Sequence, residues 1–110
     1  MKIISVPLSS EAMKRLDLDE CLPGDLKEFQ LSEEQYSQLS KSGVIEKINS
    51  SLGKLIDEYE DESIQGQAEL STLLNILSEA SEHLKLDSIE KIIDLNRLAI
   101  QNKTGLFFYF

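Results

Sequence analysis

Basic residues, cysteine, tryptophan and proline are all scarce in this chain. Lys and Arg number 11 against 20 Asp and Glu, a net charge of −9 on 110 residues. Nucleic acids and anionic lipid headgroups are bound largely through Lys and Arg, so this field opposes contact with either. The same field speeds encounter with a cationic protein surface. A basic protein partner is therefore expected, with no direct nucleic-acid contact and no membrane contact. A single cysteine, Cys21, excludes an intramolecular disulfide. The opening MKIISVPLSS has neither the basic region nor the apolar core of a signal peptide, and no stretch approaches the ~20 apolar residues of a membrane span. These features lead us to expect a cytoplasmic protein.

Phosphate-loop, dinucleotide, zincin and hydrolase-elbow motifs are missing as well. No enzymatic activity, cofactor or bound metal is expected. His83 falls near the end of a helical pattern, where the dipole favours a cation, and is read as structural rather than catalytic. Cys21 lacks a second thiol for a zinc pair and is expected to be a buried or half-buried structural residue.

What the chain does have is 41% apolar and 28% charged residues, the balance of a globular protein. Its length suits a single domain over residues 1–110. Ile4, Val6 and Leu8 alternate as in a short strand, and Pro7 suggests that it lies at a sheet edge. Ser9 and Ser10 can cap a helix carrying Ala12, Met13, Leu16 and Cys21 and ended by Pro23-Gly24, although Leu16 and Leu18 also alternate as a strand would. DLKEFQL, residues 25–31, offers a third strand. Ser32 and Gln35 have capping-box spacing, with Leu31 and Tyr36 at the staple positions, so a helix should start at Glu33 and stop at Gly43.

Val44, Ile45, Ile48, Leu52, Leu55, Ile56 and Tyr59 form one stripe of a second, longer helix, weakened by Gly53 in its middle. Residues 68–84 are apolar enough on several sides to suggest the central helix. Asp87 and Glu90 repeat the cap spacing before a last helix that runs to about Asn102 and stops at Thr104-Gly105. Four of the seven aromatics then close the chain in Leu106-Phe107-Phe108-Tyr109-Phe110, a strand with either Phe108 and Phe110 or Phe107 and Tyr109 turned inward. The expected fold is α+β and mostly helical, with four or five helices packed on a small sheet formed by the N- and C-terminal strands.

The densest charge lies in Asp57-Glu58-Tyr59-Glu60-Asp61-Glu62. The run is expected to begin at a helix C-terminus, where the macrodipole disfavours anions by ~0.3–1 kcal/mol each and Lys54 offsets only one of them. Folding would gain nothing from such a run, which makes these residues, supported by Asp17, Asp19 and Glu20, the candidate partner-binding surface. Tyr59 completes the apolar stripe and is expected in the core. The competing reading of the run is a solvated loop kept for solubility. A second alternative is an acidic adaptor or DNA-mimic protein.

Glu58 with Asp61 and Glu79 with Glu82 have the one-turn spacing of magnesium ligands. This resembles, with the order of elements altered, the carboxylate motifs of all-helical nucleotide pyrophosphohydrolases, and such a reading requires the four carboxylates to converge. Asp17, Asp19 and Glu20 lack the Gly and terminal Glu of a calcium loop.

In its size, acidity, amphipathic helical segments and closing AIQNKTGLFFYF, where a helix passes through a Gly turn into an aromatic strand, the chain resembles the small immunity proteins of contact-dependent growth inhibition and related bacterial toxin systems. The resemblance implies a protein that binds one cognate basic toxin domain, often a nuclease, and blocks its active site or substrate groove without chemistry of its own. It carries no residue role over to a numbered position.

Overall fold

The computed structural model describes residues 1–110 and contains nine elements: β1 (Lys2–Pro7), α1 (Ser10–Asp17), β2 (Leu26–Leu31), α2 (Glu33–Ser42), α3 (Val44–Leu52), β3 (Asp61–Gln65), α4 (Gln67–His83), α5 (Asp87–Asn102) and β4 (Gly105–Tyr109). Five helices pack on one antiparallel sheet of order β2-β1-β4-β3. The terminal strands pair with each other, Ile3 opposite Tyr109 and Ser5 opposite Phe107. No helix is long and apolar enough to cross a membrane.

β1 is an inner strand, not the edge that Pro7 suggested, and hydrogen-bond alternation explains why. Leu8 donates to the Asp25 carbonyl on the β2 side at 2.9 Å, so the Pro7 nitrogen faces β4. Pairing with β4 has already stopped at Ser5, so the missing amide removes nothing from the ladder. The Pro7 carbonyl instead accepts the Thr104 hydroxyl at 2.7 Å, tying the end of α5 to the sheet.

Helix boundaries follow local chemistry where a side chain or a left-handed residue sets them. Ser9 caps α1 by accepting from Ala12 N at 3.0 Å, and the helix ends at Asp17, well before Pro23-Gly24, so Cys21 lies outside it. Ser32 and Gln35 form the reciprocal capping box of α2, at 2.8 and 3.1 Å. Gly43, at φ 85°, ends α2. The longer helix expected to follow does not form: Gly53, at φ 65°, terminates α3 after Leu52. Ile56 is buried all the same, because the Asn49 side chain clamps its backbone, accepting from Ile56 N at 2.8 Å and donating to Ile56 O at 3.0 Å. Asp87 does not cap α5. Leu86 holds that position without a side-chain bond, and Asp87 and Glu90 lie in the first turn, where their charge favours the positive helix end.

The inner face of the sheet presents Ile4, Val6, Ile64, Leu106 and Phe108, all buried, to the helix layer. Full burial of each such side chain stabilises by ~1.5–3 kcal/mol. The central helix is α5 rather than residues 68–84. It buries Ser88, Ile89, Ile92, Ile93, Leu95, Asn96 and Ala99, whereas α4 buries only Leu70, Leu73 and Leu77. Asn96, fully enclosed, donates to the Leu70 carbonyl at 3.1 Å and thereby fixes α5 against α4.

At the turn into β4 the left-handed residue is Lys103, at φ 56°. Gly105 serves close approach instead, since a Cβ there would stand 2.7 Å from Gln65 Cγ and 3.0 Å from the Ile64 carbonyl.

Candidate protein-docking face

The acidic run does not sit on a helix end. It spans a turn and the first residues of β3, an edge strand, so the dipole penalty expected for it does not arise, and its carboxylates take separate directions. Asp57 accepts from the Glu58 amide at 2.8 Å and lies 3.5 Å from the Tyr36 hydroxyl. Glu58 approaches the buried Lys2 ammonium at 3.8 Å, which is paired with Glu33 at 3.0 Å and stands over the Tyr36 ring at 4.8 Å. Glu62 accepts from Leu55 N and Ser63 N, at 3.0 and 2.9 Å. Those amides hold its carboxyl below the usual range, the Leu55 bond most strongly. Lys54 pairs with Glu69, at 3.4 Å, rather than with the run.

Tyr59 is not in the core. It is 92% exposed at the tip of the turn and left-handed at φ 65°, a conformation that is unfavourable for a bulky side chain. Asp61 and Glu60 are exposed, and no cation of the chain lies within ion-pair distance of either.

Asp61 belongs to a second surface. Strand alternation turns Asp61, Ser63 and Gln65 of β3, Phe107 and Tyr109 of β4, Ile3 and Ser5 of β1, and Glu28 and Gln30 of β2 to the face opposite the helix layer. α1 crosses part of this outer face. Ser5 is buried on this face, its hydroxyl donating to Glu28 at 3.1 Å, while Ile3, Phe107 and Tyr109 are half-exposed. Phe107 and Tyr109 stack with centroids 6.5 Å apart and planes 16° from parallel.

Two shallow depressions meet at Phe107. One, of about 230 Å³, is lined by Asp61, Glu62, Ser63, Phe107 and Tyr109. The other, of about 310 Å³, is lined by Met13, Lys14, Asp17, Gln65 and Phe107. Together they make a groove with an aromatic floor and carboxylates at both ends.

The loop after α1 runs beside Tyr109. It is clipped by a two-pronged Arg15–Asp25 pair, with both bonds 2.7 Å, and by Leu22 N donating to Asp25 at 2.8 Å. The Arg15 guanidinium, with help from the Leu22 amide, holds the Asp25 carboxyl at about 2. Burial, then the charges of Asp61, Cys21, Asp19 and Glu28, push the Tyr109 hydroxyl up, so negative charge from three segments is felt there. Cys21 is exposed, not buried as expected, and partial desolvation together with Asp25 and Asp19 raises its thiol, which disfavours the reactive thiolate. Leu18 and Leu22 on this loop are also exposed, at 64% and 56%.

Asp17, Asp19 and Asp61 thus share one face, while Asp57 and Glu58 turn toward α2 and Lys2. Glu20 is exposed on the loop, its amide bonded to Arg15 O at 2.7 Å. Sequence reasoning missed Phe107, Tyr109, Ile3 and Glu28. The signal lay in the alternation of residues 106–110, once β4 has neighbours on both sides to decide which alternate set faces the helices.

Glu58, Asp61, Glu79 and Glu82 do not converge, and no three His, Cys, Asp or Glu side chains are grouped to hold a metal ion. Glu79 and His83 instead line a cleft of about 290 Å³ with Lys47, between α4 and the α2–α3 junction. No family model, no curated protein and no solved structure matches this chain.

Proposed function

We propose that the protein is a cytoplasmic, non-enzymatic inhibitor that binds a basic protein domain, in the manner of a toxin-neutralising immunity protein, and covers that domain's anion-binding groove. The observation that carries this reading is the meeting of two acidic segments, distant in sequence, around one solvent-facing aromatic groove. Carboxylates without cationic partners gain little for folding. Brought opposite a cationic surface, they steer association and fix its orientation. The half-exposed Phe107 and Tyr109 add apolar area at the centre of the patch, where aromatic side chains contribute most to affinity.

The test is association with a basic nuclease domain encoded beside this chain, followed by stopped flow across salt concentrations. The association rate should fall steeply as salt rises. Replacing Asp17, Asp19 and Asp61 together by Lys should slow it at least ~10-fold. Unchanged rate and affinity in that variant overturn the docking face. A nuclease that stays fully active with the protein in excess overturns inhibition.

A further inference from the structure

Resting on that reading, we infer that the β3 end of the groove is a receptor for an arginine side chain of the partner, with the guanidinium lying on the Phe107–Tyr109 floor and paired to Asp61. Charge and shape both lead there. Asp61 is exposed and lacks an ion-pair partner, and it lies opposite Tyr109 in the sheet register, so its carboxylate stands beside the ring. Asp19 and Glu28 add negative charge around the same ring.

The one cation lining the groove, Lys14, stands at the other end beside Asp17, which leaves the β3 end the more negative. The turn at 57–60 is a poorer receptor, since Asp57 and Glu58 already face the Tyr36 hydroxyl and the Lys2 ammonium.

Arginine fits better than lysine for a geometric reason. Phe107 and Tyr109 line the depression with rings 16° from parallel, an aromatic surface of nearly one orientation. A planar guanidinium can stack on that surface while its edge forms two hydrogen bonds to a carboxylate, whereas an ammonium is a strongly hydrated point charge. The depression of about 230 Å³ has room for one such side chain. Ser63 lines it too, its hydroxyl already accepting from Gln65 Nε2 at 3.1 Å.

The experiment titrates the full chain with two synthetic peptides of equal length and charge, one alternating Gly and Arg, the other Gly and Lys, while backbone amide chemical shifts are recorded. The arginine peptide should bind at least ~3-fold more tightly, with shifts centred on residues 61–63, 107 and 109. Tyr109→Leu keeps apolar volume and removes the π face, so the arginine preference should vanish while weak, salt-sensitive binding persists. Asp61→Asn, at an exposed position, should weaken the arginine peptide most and provides the readout if Tyr109→Leu fails to fold.

Equal affinity for the two peptides, or shifts centred on the 57–60 turn, overturns the arginine receptor and leaves the charge reading standing. Absence of binding by either peptide at low salt counts against both.

Discussion

The two faces of the sheet are built from the same strands and differ in everything else. On the inner face Ile4, Val6, Ile64, Leu106 and Phe108 are sealed beneath the helices. One residue along, Ile3, Phe107 and Tyr109 are half-exposed, with the Asp61 carboxylate opposite Tyr109 in the register. Alternation in a single aromatic strand therefore serves two ends, with β4 anchoring the core through Phe108 and offering a surface through its neighbours on either side. On the proposed docking role, stability and recognition are separable here residue by residue.

The sharpest way to break the comparison is to truncate adjacent aromatics. Phe108→Ala should remove ~3–5 kcal/mol in denaturant unfolding, while Phe107→Ala should cost about 1 kcal/mol and act mainly on partner affinity. Equal losses would show that the faces are energetically alike. Gly105→Ala comes next, because its Cβ would crowd the Ile64 carbonyl and force β3 from β4. A loss of ~1–3 kcal/mol is expected, checked by thermal melting.

Tyr59→Gly should work in the opposite direction. Releasing the left-handed strain should stabilise by up to about 1 kcal/mol, and any drop in partner affinity would extend the recognition surface to the turn tip.

The smallest effect concerns the loop beside the outer face. Because the Asp25 carboxyl is held at about 2, below its ordinary 3.8, the stabilisation from its pair with Arg15 is complete above that ordinary value. It is lost as the pH falls through the lower one. Asp25→Asn should abolish that part of the acid dependence in melts recorded between about pH 4 and pH 2, and disorder the loop that carries Asp19.

Much of the architecture was legible because local chemistry specified it. The capping box at Ser32, the Gly43 stop and the pairing of the terminal strands all follow from nearby residues or from the aromatic tail. β3 was illegible because DESIQ buries only Ile64 and spends Glu62 on backbone amides. The central place of α5 was masked by Asn96 and Ser88, which read as surface residues until α4 and the sheet enclose them. Gly53 could be read as a weak point or as a stop, and the Asn49 clamp that decides between them is not visible as a periodic pattern. The acidic run was conspicuous in the sequence. The groove was not, because pairing across the whole length of the chain assembles it.

The insertion of β4 between β1 and β3 has a consequence for how the protein is born. A ribosome delivers this strand after all eight other elements, and until then β3 has no neighbour and β1 has only β2. The nascent chain can form its hairpin and helices early, yet the sheet cannot close until translation of β4 is done, so the intermediate is exposed to chaperones and proteases for nearly the whole of its synthesis.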